Sequence, residues 1–315
     1  MICVIENEYL KAYISDLGAT LIKLIDKQTN IDLVLGFDAE EDYFKYSGTN
    51  MGASIGRNAN RIGGGSFVLN EQKYYLTQND NNNQLHGGGA NGFAFKRWNV
   101  IESGKDYIIF DYYSTDKEEG YPGNLRVEVS YTLNQNNIIW KYSGKSDKDT
   151  LLNMTNHSYF CLGDDDILNQ QLMIYTNKYS PIDDYSLTID KVCDTINTPY
   201  DFYSFKKLKD NLSKLKNGID NNYVWEYIGN KLMASLKNDR LQLNVYSDLP
   251  DMHLYTAYYL NGERGKYFKT YRSYSGICLE CQYYPNSINY DSFIKPILHS
   301  NETMTHYIRY EINNI

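Results

Sequence analysis

The sequence predicts an all-β, mainly antiparallel fold, and three observations carry that prediction. Short runs rich in β-branched and aromatic residues recur along the chain, several alternating apolar with polar side chains, the mark of half-buried strands. Turn clusters such as "NQNN", "GYPGN" and "SGK" separate them. Strand runs do not alternate with helical ones, which argues against a doubly wound parallel sheet. No linker, composition shift or repeat divides the 315 residues, so a single domain, 1–315, is expected.

In chain order the strand runs are "YLKAYISDLGATLIKLID", "YIIFDYY", "LRVEVSYTL", "IIWKYSG", "LQLNVYSD" and "SGICLECQYY". Two segments read as short helices. "DAEEDYFKYS" begins with Asp38 as N-cap and has Glu41 three residues on, a capping-box pattern. "SFKKLKDNLSKLKNG" sets Phe205, Leu208, Leu212 and Leu215 on one face, with Gly218 as the stop.

Composition narrows the function. Hydrophobic residues make up 42%, and 32 Tyr with 11 Phe supply large buried area, so a sizeable core is within reach. A net charge of −8 and the absence of a basic run make nucleic acid and anionic membranes poor partners. Apolar stretches are only a few residues long, so no membrane span is expected. The start "MICVIENEYLKAY" lacks a basic-then-apolar leader, which predicts a cytoplasmic protein. Five scattered cysteines fit reduced thiols. Cys278 and Cys281 form one C-x-x-C on a strand run, where positions three apart face opposite ways, so neither a metal nor a redox role is expected.

Two glycine-rich stretches suggest a serine hydrolase at first sight. "GASIG", residues 52–56, matches a nucleophile elbow around Ser54, and "HGGG" at His86 matches an oxyanion-hole loop. Order and context exclude that reading. The histidine loop follows the serine instead of preceding it, and "GRNANRIGGGSF" after Ser54 has no helical period.

What remains is a set of polar residues set among apolar ones. "LLNMTNHSYFCL" carries Asn153, Asn156 and His157 inside a strand-like run. "CLECQYYP" sets Glu280 among apolar and aromatic neighbours, where a carboxylate is either paired or functional because unpaired burial is costly. "GRNANRIGGG" holds Arg57, Asn60 and Arg61, and "NGIDNNYVW" holds Asp220. Histidines, carboxylates, arginines and amides, without a nucleophile or a metal set, suit proton transfer on a neutral, multiply hydroxylated ligand. No cofactor is needed, and phosphate-binding glycine patterns are absent.

In family order and with family-like spacing, "GASIGRNANRIGGGSF", "NNNQLHGGGANGF", "EEGYPGNL", "NMTNHSYFCL", "NGIDNNYVW" and "LECQYYPNSINY" resemble the galactose mutarotases, or aldose 1-epimerases. The resemblance runs over essentially the whole chain. It implies a large β-sandwich (supersandwich) with a few short helices and a sugar cleft on one face. It also implies an isomerase that interconverts the α and β anomers of a free aldohexose such as galactose or glucose. By resemblance Glu280 is the base on the anomeric hydroxyl, His157 the acid at the ring oxygen, and His86 a hydrogen-bonding assistant. Arg61, Asn60 and Asp220 would bind ring hydroxyls, and the protein would be a monomer or homodimer. Reference pKa values of about 4.3 for Glu and 6.5 for His leave the base ionised near neutrality, and nearby carboxylates would raise His157. The triple glycine after His86 is expected to let backbone approach the sugar.

Some positions depart from the family pattern. His253 stands where Gln is common, Ala257-Tyr258 replaces a Gly-Asn pair, Asn221 follows the binding Asp, and Pro285-Asn286 replaces Pro-Asp. These put sugar preference in question more than the reaction, with His253 joining the substrate-binding set. Two competitors are a non-catalytic sugar-binding or sensing protein of the same fold and a hexose-phosphate epimerase, which would call for an added cationic cluster.

Overall fold

The computed structural model describes residues 1–225 and 227–315. Among these residues the strands form three principal antiparallel sheets. The N-terminal sheet is a meander of Ile2–Glu6, Leu10–Ser15, Thr20–Asp26 and Ile31–Asp32. A nine-stranded sheet runs Asn99–Ser103, Tyr107–Ser114, Leu125–Asn134, Asn137–Ser146, Thr303–Asn314, Leu241–Ser247, Lys231–Lys237, Gln171–Ile174, Lys206–Lys207. A six-stranded sheet runs Tyr159–Phe160, Ile277–Gln282, Asp251–Tyr255, Asp220–Val224, Lys178–Ser180, Cys193–Asp194.

The period-2 pattern decides which faces meet. Leu125, Val127, Val129, Tyr131 and Leu133 are all buried, while their neighbours in sequence are more exposed. Ile308, Tyr310 and Ile312 continue that buried face across the nine-stranded sheet. Phe160, in the six-stranded sheet, packs its ring 4.8 Å from that of Tyr310. Phe160 pairs with Ile277, so Ile277, Leu279 and Cys281 share the face turned to the nine-stranded sheet. Burying such side chains contributes roughly 1.5–3 kcal/mol each. Alternation then leaves Cys278, Glu280 and Gln282 on the opposite face, which builds the cleft. The two cysteines of the C-x-x-C therefore point apart, and both are free thiols.

Two local expectations need correction. The first helix is Glu40–Lys45, with Ala39 as its N-cap and no side-chain cap. Asp38 instead accepts the Tyr267 N–H at 3.0 Å, a tertiary contact that outcompetes the local capping geometry. The second helix is only Leu208–Leu212, because Lys206–Lys207 pairs as the edge strand of the nine-stranded sheet. Phe205 lies before the helix, and Gly218, at φ +69, turns the chain into the Asp220 strand instead of stopping a helix.

Candidate active site

Sheet register assembles half the site. In the antiparallel ladder His253 lies directly opposite Glu280, and Asn222 directly opposite His253. Asp220, two residues from Asn222, shares its face, so Asp220, His253 and Glu280 project from three adjacent strands onto one surface. His253 Nε2 meets Asp220 Oδ1 at 2.7 Å. That bond commits the ring nitrogen facing Asp220, so His253 holds the carboxylate in place and is not itself free to bind through Nε2. Tyr255 and Tyr159 extend the same surface opposite Cys278.

His157 enters from the segment just before Tyr159–Phe160. Its backbone is fixed on both sides: its N–H donates to the Ala53 carbonyl and its carbonyl accepts the Gly52 N–H, each at 2.9 Å. Its Nε2 lies 3.6 Å from Glu280 Oε1, and its Nδ1 lies 3.6 Å from the Cys278 thiol. Glu280 is 1% exposed, and its Oε2 has no hydrogen-bond partner among the described residues. An orphaned carboxylate oxygen in a buried strand is costly, and the place of Glu280 in the lining of a cleft gives that cost a use.

The glycine-rich loops bring the other half. The Asn60 N–H donates to His86 Nδ1 at 3.2 Å, which fixes the neutral tautomer with the proton on Nε2. Asn60 Oδ1 accepts the Arg61 N–H at 2.8 Å, and Asn60 lines the cleft. The Arg61 guanidinium is held through Nε by Asp80 Oδ2 at 2.6 Å. The triple glycine has a different reason from the expected one. A Cβ on Gly87 would overlap the Gly56 carbonyl, and one on Gly88 would overlap the Glu119 carboxylate. Packing behind His86, against the Gly56 backbone and the Glu119 and Asn79 side chains, limits these positions to glycine, and their positive φ suits it.

These side chains line one cleft of about 460 Å³, together with Lys45, Tyr46, Thr49, Tyr259 and Glu263 at its sides. That size suits a small ligand. Electrostatics inside it differ from the expectation. Burial pushes Glu280 well above the usual carboxylate value, and the charge of Asp220 adds to this against a smaller opposing pull from Arg61. Burial also lowers His157 to about 4, with the charge of His253 adding to it, so desolvation outweighs the help expected from Asp220. His86 falls well below its ordinary value, through burial and the neighbouring His157, Arg61 and His253. Asp220 stays ionised: burial would raise it, but the hydrogen bond and charge of His253, with Arg61, bring it below its ordinary value.

The two shifts run in opposite directions, Glu280 up and His157 down, both chiefly through burial. A proton moved from the carboxyl to the imidazole would set a carboxylate base beside an imidazolium acid without changing the proton count. His86, His157 and Glu280 also bring ligand atoms within 4.8 Å of one another, a spacing a metal could use. The Asn60 N–H on His86 Nδ1 opposes that, because a metal on Nε2 would leave the ring with no proton at all. The arrangement suits hydroxyl chemistry better.

Other polar candidates prove to be scaffold. Ser54 is fully buried, its hydroxyl donating to the Ala19 carbonyl at 3.2 Å and accepting the Trp140 indole N–H at 3.0 Å, with no imidazole bonded to it among the described residues. Arg57 is buried away from the cleft and donates to Ser114, Pro122 and Gly123. Asn153 accepts the Tyr283 N–H at 3.0 Å, and Asn156 donates to the Gly52 carbonyl and the Tyr131 hydroxyl. Sequence reasoning missed Asp80, hidden among the amides of "QNDNNN", and Tyr255, whose two-residue offset from His253 signals a shared face.

Comparison with known proteins identifies the relatives of this chain. The family profile described as aldose 1-epimerase matches residues 1–311. An aldose 1-epimerase from Haemophilus influenzae is 33% identical over 301 residues, covering 91% of this chain and 87% of that protein. The galactose mutarotase of Bos taurus is 32% identical, covering 96% and 91%. Among solved structures, an aldose epimerase homologue from C. elegans superposes with a TM-score of 0.93 at 27% identity, over 100% of this chain and 99% of the other. Galactose 1-epimerase from Lactobacillus acidophilus gives 0.88 at 26% identity, over 99% and 95%.

Proposed function

The chain belongs to the aldose 1-epimerase family and is a mutarotase, and from that premise we propose that Glu280 and His157 are its proton-transfer pair. The observation that carries the reading is the buried, unpartnered oxygen of Glu280, 1% exposed, on the carboxylate that faces the His157 imidazole across 3.6 Å.

The substrate is a free aldose, with galactose and glucose the first candidates. Glu280 removes the proton from the anomeric hydroxyl as its oxygen forms the carbonyl. The bond from the anomeric carbon to the ring oxygen breaks, and His157 delivers a proton from Nε2 to that oxygen. Rotation about the first carbon–carbon bond presents the other face of the carbonyl. The ring hydroxyl then attacks, returning its proton to His157, and Glu280 returns its proton to the new anomeric oxygen. The proton count is unchanged over the cycle. Positioned general acids and bases of this kind contribute about 10²–10⁴-fold each.

The remaining groups bind and orient. His86 donates from Nε2 to a sugar oxygen and stabilises charge as it develops. Arg61 offers its terminal amino groups, and Asp220 its second oxygen, to ring hydroxyls. His253 acts on the sugar through Asp220, to which it is bonded at 2.7 Å. Polarimetry on freshly dissolved α-galactose and α-glucose tests the reading. Micromolar protein should speed the approach to anomeric equilibrium for at least one sugar, and an unchanged rate for both would refute it.

A further inference from the structure

The Arg61 guanidinium has one side-chain partner among the described residues, and the partner sits outside the catalytic set. Asp80 Oδ2 lies 2.6 Å from Arg61 Nε, with both side chains largely shielded, at 13% and 22% exposure. The two terminal amino groups have no hydrogen-bond partner among the described residues, and Arg61 lines the cleft. A guanidinium held at Nε and open at both ends offers two parallel donors, the spacing that two adjacent hydroxyl oxygens on a pyranose can accept.

The loop that carries Asp80 is built to hold it. Asp80 and Asn83 exchange backbone hydrogen bonds at 3.2 and 2.9 Å. Asn79 bonds both backbone groups of Leu85 with its side chain, at 2.8 and 3.0 Å. Asn83 Oδ1 accepts the Gly64 N–H at 3.0 Å, and Arg61 pairs with Leu85 in a short antiparallel ladder. The loop then runs directly into His86. One braced segment thus fixes two cleft groups, the imidazole through the chain and the guanidinium through the Asp80 carboxylate.

We propose that Asp80 is a positioning residue for sugar binding: it holds Arg61 by Nε so that both terminal amino groups face adjacent ring hydroxyls, and it balances the Arg61 charge beside Glu280. This rests on the mutarotase reading above. Loop closure uses the backbone of Asp80, so Asp80→Asn should fold and should lose only the charged contact.

The test is steady-state mutarotation by Asp80→Asn, Asp80→Glu, Arg61→Lys and the Arg61→Lys/Asp80→Asn double variant. Loss of uniform binding raises KM and spares kcat, so Asp80→Asn should raise KM about tenfold with kcat within about threefold of the parent. Asp80→Glu should recover part of the affinity. The double variant should be little worse than Arg61→Lys alone, since the two residues act as one unit. An unbalanced Arg61 charge should also move the basic limb of the pH profile downward, which a loop defect would not do. An active parent whose Asp80→Asn variant keeps its KM overturns the proposal. So does a fall in kcat at unchanged KM, additive losses in the double variant, or failure of both Asp80 variants to fold. A parent without activity would strike at the mutarotase reading instead.

Discussion

At the scale of single residues, desolvation decides the chemistry. Glu280 is raised and His157 lowered to about 4, both chiefly by burial, so the pair is expected to hold a single proton above about pH 4 until the raised carboxyl ionises. That one-proton form contains the productive distribution, carboxylate plus imidazolium, as a tautomer. Adding a second proton or removing the last one abolishes it. The profile of kcat/KM against pH, corrected for uncatalysed mutarotation, is therefore expected to be a broad-topped bell. Its acid limb falls near pH 4, well below an ordinary imidazole at about 6.5. A half-maximum near pH 6.5 on the acid side would contradict the assignment of that limb to a desolvated His157. The residue types of this pair were legible in sequence, because a Glu and a His amid apolar strand neighbours need an explanation. Their protonation was not, since burial depth is set by the strands packed around them and leaves no mark in either motif.

At the scale of elements, the site is a strand ladder faced by two glycine-rich loops. The ladder was partly legible: "CLECQYY" alternates, and a strand through it sets Cys278 and Glu280 on one face. The partnership of His253 with Asp220 was not, because it depends on the register between the Asp251–Tyr255 and Asp220–Val224 strands. The loops carry the stricter steric demand. Gly87 sits at φ +75 with no room for a Cβ beside the Gly56 backbone. Gly87→Ala is expected to cost more than about 1 kcal/mol of stability and to lower turnover by displacing His86. Chemical denaturation and polarimetry on the same preparation check this. An alanine variant with parental midpoint and rate would mean that the loop adapts without moving His86. The shortened helix at Leu208–Leu212 teaches the converse lesson: an amphipathic pattern over "SFKKLKDNLSKLKNG" yielded its first part to sheet-edge pairing at Lys206–Lys207.

At the scale of the whole molecule, burial of the two cleft histidines in their neutral form carries a cost that pH exposes. His86 and His157 are both depressed in the folded state, so as pH drops below about 6.5 the unfolded chain binds protons at these two positions that the folded one resists, down to about pH 4 for His157. Stability from these groups falls as pH drops through that window. Glu280, raised in the folded state, opposes them with a single proton, which the two histidines outweigh once both are largely protonated in the unfolded chain, below about pH 6.5. The unliganded protein should accordingly melt at lower temperature at pH 5 than at pH 7, and a higher Tm at pH 5 would contradict the burial argument. The antiparallel class was readable from strand runs and turn clusters, whereas the pairing of distant strands such as Asn137–Ser146 with Thr303–Asn314 was not, because nothing local encodes it. All of these features serve one claim, that Glu280 and His157 exchange protons with the sugar. Turnover of Glu280→Gln on α-galactose or α-glucose, whichever the parent converts, tests it most directly, with circular dichroism to establish the fold and His157→Asn measured alongside. Each variant is predicted to lose at least about 10²-fold in kcat while remaining folded. A folded Glu280→Gln protein that turns over within a few-fold of the parent would contradict the account.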